Sequence, residues 1–345
     1  MKKLLKIAGI ILASLIGIIV IAFLLFSAMK GKAAKEIYAK LGDEAPELVV
    51  DGNTYRDLNK NGSLDIYEDS RAPLEERVED LLGQMSLEEK AGCMFVSMIG
   101  MTAEGLPYDK PKLSRNPFDI LIALMVPPAS ELLVTKKLNS VNILNAYDPD
   151  IMALFNNNLQ KIAERIRLGI PITIATDPRH SSDNNPGASI LTSAFSAWPN
   201  PLGLAATRDT LLVREFGDIA RQEYRAVGLT VALHPMADLA TEPRWARING
   251  TFGEDANLAA AMTKAYVLGF QGDSLGMNSV ACMSKHFSGG GPQLNGDDAH
   301  FAFGKDQAYP GENFDYHLIP FIEGALAANT AQIMPYYGIP VGQTS

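Results

Sequence analysis

Cysteine is nearly absent from this 345-residue chain, which holds only Cys93 and Cys282. Two thiols, each inside an apolar run, make no disulfide framework, and both are expected as buried free thiols. Beyond the N-terminus there is no cluster of Lys and Arg. The formal net charge is −9, yet the only charges in the first 35 residues are six lysines, so residues 36–345 carry −15. So acidic a body has no electrostatic grip on a polyanion, which excludes nucleic acid as a partner. Two catalytic signatures are missing too. The chain has no G-x-G-x-x-G turn and no H-E-x-x-H helix.

Charge is also missing from Ile7 to Met29, and Ile7–Phe26 is nearly all apolar. Twenty residues at about 1.5 Å each span about 30 Å, the thickness of a hydrocarbon core. The apolar stretch of a cleaved leader is only about 7–15 residues long. Residues 1–29 are therefore expected as an uncleaved transmembrane signal-anchor, although Ser27-Ala28 would suit cleavage. Three lysines flank each side, so charge barely orients the span. With one span followed by a long folded body, the body is expected outside the cytoplasm. Residues 30–56 read as a polar spacer.

Leu74 to about Lys90 reads as one amphipathic helix that Pro73 starts well. Short apolar runs then alternate with helical patterns. Strands are expected near 93–98, 139–144, 171–176, 229–234, 280–285 and 332–335. The helices between them show Ile151, Leu154, Phe155, Leu159, Ile162 and Ile166 on one face, and Leu212, Phe216, Ile219 and Ala220 on another. Such alternation predicts an α/β fold with a parallel sheet. Polar residues close the strands: Asp177, His234, and Lys285 with His286. Active sites of (β/α)8 TIM-type barrels lie on that rim. Residues 73–345 thus read as an incomplete barrel of about six of eight strands.

The most specific local signal is Asp57-Leu58-Asn59-Lys60-Asn61-Gly62-Ser63-Leu64-Asp65-Ile66-Tyr67-Glu68. It fits a twelve-residue calcium loop, with oxygen side chains at Asp57, Asn59, Asn61, Asp65 and Glu68, Gly62 at the sharp turn, and Ser63 offering its carbonyl. A structural calcium over 57–68 is expected, and no helix enters the loop. The bland alternative is an Asx-rich turn without metal.

Ser284-Lys285-His286-Phe287-Ser288-Gly289-Gly290-Gly291 places a basic pair at a strand end before glycines that let a loop pass close to a ligand. Arg244-Trp245-Ala246-Arg247 would clamp a polar ligand or form a surface stack. Asp298-Ala299-His300 has the spacing of a carboxylate that orients an imidazole, and equally that of a solvated loop. Asp177 and Asp238 with five histidines raise a metallohydrolase alternative, which no His-x-His pair supports.

Taken together, these residues resemble glycoside hydrolase family 3. The resemblance runs from about Asp57 to Ser345. It rests on Arg77-Val78-Glu79-Asp80-Leu81-Leu82 with Met85-Ser86-Leu87-Glu88-Glu89-Lys90, then Asp177-Pro178-Arg179-His180 and Pro201-Leu202-Gly203-Leu204. Pro243-Arg244-Trp245-Ala246-Arg247, Gly253-Glu254-Asp255 and Lys285-His286-Phe287 follow in family order. The resemblance implies an exo-acting retaining β-glycosidase, β-glucosidase-like, that needs no catalytic cofactor and acts on β-glucosides or related oligosaccharides. It implies that Asp177, Arg244, Arg247, Lys285 and His286 hold the hydroxyls of the terminal sugar. The family's nucleophile Asp lies on a strand beyond 332–335, and its usual acid/base Glu lies in a following domain. Neither is expected in this chain, which is therefore expected to be inactive. One branch uses an Asp-x-His loop instead. Here Gly290 replaces a His of that branch's motif, so Asp298 and His300 are weaker acid/base candidates. The alternative from another class is a calcium-stabilised sugar-binding protein on a membrane.

Overall fold

The computed structural model describes residues 2–111, 126–181 and 195–343. The chain forms two compact units, one of residues 1–141 and 158–172, the other of residues 142–157 and 173–345.

The first unit begins with α1, Lys2–Tyr38, the one helix among the described residues long and apolar enough to cross a membrane. The segment expected as a spacer is instead ordered. Helix α1 runs on through Tyr38, because Ala33, Ala34, Lys35 and Glu36 all favour helix. Next, β1 (Glu47–Val50) and β2 (Asn53–Arg56) pair as an antiparallel hairpin. Asp51 and Gly52 both take positive φ (48° and 76°), as a two-residue hairpin turn requires.

The helix expected over Leu74 to Lys90 is two, α2 (Leu74–Gln84) and α3 (Leu87–Gly92). Ser86 breaks it with a reciprocal cap. Its side chain accepts the Glu89 N–H, and the Glu89 carboxylate accepts the Ser86 N–H at 2.8 Å. Cys93, at the C-terminal end of α3, is exposed rather than buried, whereas Cys282 is buried as expected.

Strands β3 (Val96–Ile99), β4 (Ser140–Ile143), β5 (Thr173–Thr176), β6 (Val231–Ala232), β7 (Ala281–Phe287) and β9 (Gln332–Pro335) form one sheet in that order. Each falls on a run singled out in the sequence, and the topology is that of a half-barrel. From β5 to β9 the pairing is parallel, with Ala175 beside Val231, Val231 beside Ala281, and Lys285 beside Met334. Two short strands, β8 (Asp306–Gln307) and β10 (Ile339–Pro340), pair with each other.

In the second unit the crossover helices cover the sheet. Helix α4 (Pro149–Arg165) runs through the unit boundary and buries Met152 and Phe155, while Leu154 is exposed. The short α5 (Pro201–Ala206) precedes α6 (Thr210–Ala226), which buries Val213, Phe216, Gly217, Ala220 and Tyr224. That stripe is rotated by about one residue from the face the sequence suggests. Helix α7 (Ala256–Gln271) crosses α6 at a glycine pair. A Cβ on Gly269 would stand 2.5 Å from the Arg214 carbonyl, and one on Gly217 2.9 Å from the Gly269 Cα. Close-packed interiors do not relieve such a clash. Gly269→Val is expected to destabilise the protein by about 3 kcal/mol, at the upper end for overpacking, as measured by urea denaturation.

Candidate active site at the strand ends

The candidate site lies within the second unit, where strand ends carry polar side chains. Asp177 follows β5 directly. One carboxylate oxygen accepts the Lys285 ammonium at 2.8 Å, and the other accepts the Asn142 side-chain amide at 3.0 Å. Lys285 comes from β7 and Asn142 from β4, so three strand ends meet on one carboxylate. Burial works to raise the Asp177 pKa, but Lys285 and Asn142 outweigh it and hold it below the usual carboxylate value.

Beside this pair, Asp238 is completely buried. It accepts the His286 backbone N–H (3.2 Å), the His286 Nδ1–H (2.8 Å) and the Gly290 N–H. Burial favours the neutral acid, but these donors keep Asp238 ionised, while burial lowers the His286 pKa. A neutral His286 that donates from Nδ1 has Nε2 left as an acceptor. The glycines are explained by the same contacts. A Cβ on Gly290 would meet Asp238 Oδ1 and the Tyr336 ring at 3.0 Å, and one on Gly291 would lie 1.6 Å from the Leu239 carbonyl.

Arg247 is half-buried, and its charge acts on Asp238, His286 and Asp298. The structure thus brings together Asp177, Lys285, His286 and Arg247 from the expected sugar-holding set. It does not bring in Arg244, which is exposed and binds Glu242 through Nε and Nη2, both at 2.8 Å. That surface pair holds the Glu242 pKa down at about 2. Asp298 and His300 do pair, at 2.6 Å between Oδ1 and Nδ1, and both are about half exposed. The imidazole also packs edge-on to Tyr337.

Other polar residues of the motifs prove to be braces. The buried Arg179 guanidinium donates to Thr176 Oγ1 (2.7 Å) and to the Ile143 carbonyl (2.6 Å), tying the end of β4 to that of β5. His234 sits between the Tyr266 and Tyr224 hydroxyls, at 2.6 and 3.4 Å. His180 lies against Phe195 and Tyr224 and bonds Glu223 at 2.9 Å.

The loop of residues 57–68 belongs to the first unit, and its polar groups bond to one another. A calcium loop turns its oxygens to one point. Here the Asn59 and Asn61 amide N–H groups, which are donors, face Asp65 at 2.7 and 2.6 Å. Glu68 accepts the Leu58 and Asn59 N–H groups with one oxygen and the Asp65 N–H with the other. Asp57 accepts the Asn61 and Gly62 N–H groups, and Asn61 Oδ1 accepts that of Ser63. The Lys60 ammonium binds the carbonyls of Leu58, Glu164 and Ile166. Among the described residues no group of three or more His, Cys, Asp or Glu stands ready to hold a metal. In this structure the loop is an Asx-rich clip closed by its own hydrogen bonds, the alternative to the expected structural calcium.

The profile of the glycosyl hydrolase family 3 N-terminal domain matches residues 127–338. The beta-glucosidase C of Emericella nidulans is 48% identical over 287 residues, 83% of this chain and 44% of that protein. The periplasmic beta-glucosidase/beta-xylosidase of Dickeya chrysanthemi is 43% identical over 323 residues, 92% of this chain and 46% of that protein. The chain belongs to glycoside hydrolase family 3. It spans about half the length of these relatives. The fold is also that of the Listeria innocua beta-glucosidase solved with glucose. That match has a TM-score of 0.55 and 24% identity, and covers 77% of this chain and 33% of that one.

Within this family 3 domain, Tyr336 and Asn142 of the candidate site escaped the sequence reading, and Asp238 was weighed there for another role. Tyr336 packs its ring on His286 at 5.1 Å, and burial raises its pKa to about 12. It follows β9 as Asp177 follows β5, so the strand-end rule would have found it. Asn142 is a polar residue inside an otherwise apolar strand, which is itself a signal. Asp238 stood out only as a metal candidate, but its carboxylate is committed to His286 and Gly290.

Two predictions arise here. Burial lowers the pKa of His180, His234, His286 and His317, the last to about 4. Below the ordinary histidine value of about 6.5, the unfolded chain binds more protons than the folded one. Stability is then complete above about pH 6.5 and falls steadily toward pH 4, as urea midpoints across that range will show. Below about pH 4, loss of the depressed Asp177 and Asp238 carboxylates adds to the fall. For the clip, neither calcium nor a chelator is expected to move the melting temperature. A rise with calcium, as any ligand selective for the folded state produces, would show that the amides turn over to an ion.

Proposed function

We propose that this chain carries the sugar-holding half of an exo-acting, retaining β-glycosidase site, built on an incomplete TIM-type barrel. The carrying observation is the buried Asp177–Lys285 pair standing beside the Asp238-locked imidazole of His286. In this reading Asp177 accepts from hydroxyls of a terminal β-linked glucose or close relative, Lys285 donates to them, and His286 and Arg247 complete the ring of partners. Charge-assisted bonds to fixed groups orient a neutral sugar, and a site built for hydroxyls rejects analogues that lack them. Relatives named as beta-glucosidases and as a beta-glucosidase/beta-xylosidase support the substrate class.

Retaining hydrolysis needs two carboxyl groups about 5–5.5 Å apart, one as nucleophile and one as acid. Among the described residues, Asp177 and Asp238 are both committed to internal partners. The chain by itself is accordingly read as binding sugar without cleaving it. The 2.6 Å contact within the Asp298–His300 pair supports a secondary reading as a proton-transfer pair at the rim. Helix α1 is read as a membrane anchor that leaves the body outside the cytoplasm, which the periplasmic relative supports.

Glucose titrated against the chain is expected to give saturable binding by ligand-observed NMR. Asp177→Asn should weaken it about 10- to 100-fold, as losing one charged hydrogen bond does. Release of nitrophenol from an aryl β-glucoside should not exceed the blank. Glucose and xylose both failing to bind would sink the proposal.

A further inference from the structure

We infer that the body's first unit is seated directly on the bilayer through a rigid continuation of α1, not hung from it by a flexible tether. The inference rests on the reading of α1 as a membrane span. A helix of 37 residues is about 55 Å long, whereas about 20 residues cross the hydrocarbon core. With Ile7–Phe26 in that core, Ser27–Tyr38 forms a rigid post about 18 Å long beyond it.

That post is packed along one face. Ser27, Gly31 and Tyr38 are half-buried and Ala34 is buried, while Lys32, Lys35 and Glu36 on the other faces are exposed. The spacing is the 3–4 residue repeat of a helix seam. Its partner is the segment 109–111, which runs antiparallel to the post. The Tyr38 hydroxyl donates to Asp109 at 2.9 Å, and the Ser27 hydroxyl donates to the Pro111 carbonyl at 2.5 Å. Between them the Lys110 side chain lies across Gly31, where a Cβ would come within 2.8 Å of it. Asp109 in turn accepts the Ser130 N–H at 2.7 Å, and Tyr108 accepts the Ala129 N–H. The post is thus tied through Asp109 into the interior of the unit.

Ser27 is the first residue past the apolar run, so the Pro111 carbonyl it binds lies at headgroup depth. Lys110 lies about one helical turn, some 5 Å, farther out. Its ammonium joins Lys30 and Lys32 as a basic collar at the level where a span meets lipid phosphates. The partner of this surface is the lipid headgroup layer.

The test uses the full chain with Cys93→Ser to remove the exposed thiol. A fluorophore is placed at Lys110→Cys, and the protein is reconstituted in phosphatidylcholine vesicles carrying a headgroup spin label. The chain is expected to float with the vesicles and the label to be quenched. Gly31→Trp, which leaves the apolar run intact, should float equally and be quenched several-fold less. Separately, a Gly31→Cys/Lys110→Cys pair should close a disulfide in the vesicle-bound chain. Flotation with an unquenched label and no disulfide overturns the seated posture and leaves the anchor standing. A chain that does not float overturns the anchor, and the posture with it.

Discussion

The ion pair between Asp177 and Lys285 is the contact on which the site's geometry depends. It joins the end of β5 to that of β7 across β6, and both side chains are almost fully buried. Buried ion pairs seldom add stability over apolar residues of the same volume, but removing one partner leaves an uncompensated charge and costs about 3–5 kcal/mol. In the proposed reading such a pair persists for the sugar it holds, not for stability. Asn142 fixes the second carboxylate oxygen, and Arg179 locks the carbonyls of the neighbouring strand end, so Asp177 has little freedom to swing. The result is a charged group held ready before any ligand arrives, which is what lowers the ordering cost of binding.

A second lock reinforces the first. Asp238 gathers a backbone N–H and a ring N–H from His286 and a backbone N–H from Gly290, so one carboxylate sets both the imidazole and the path of the glycine loop. The low-dielectric surroundings make each of these bonds strong and make an incomplete set expensive. A Cβ at Gly290 would crowd Asp238 and Tyr336, one at Gly291 would strike the Leu239 carbonyl, and Gly289 takes a φ of 120°, so each of the three glycines has its own reason.

Much of this was legible in the sequence. Alternation of apolar runs with helical patterns located all six sheet strands: β4 to β7 are largely buried and leave a strong apolar trace, and the half-exposed edge strands β3 and β9 still carry short apolar runs. Asp177, Lys285 and His286 were legible because each closes such a run. Other features were decided by contacts that no local pattern encodes. Arg244 and Arg247 are identical in type and three residues apart, yet Glu242 captures only the first. The calcium-like loop matches its pattern at the level of residue type. Which way Asn59 and Asn61 turn their amides is set by Asp65, and the pattern does not contain that choice. The ordered segment after the apolar run was missed because its seam is made of Ser27, Gly31 and Ala34, whose small size leaves no hydrophobic signature.

The loop between the glycines and β8 has its own foundations. Gln293 binds the Asp297 and Gly304 carbonyls, and Gln307 binds the Gly289 carbonyl and Gln293. Its tip exposes Phe301 and Phe303, stacked nearly parallel. The footing and the tip are therefore separable units of variation. A lineage is free to exchange the aromatic tip while the two glutamines keep the loop's ends in place.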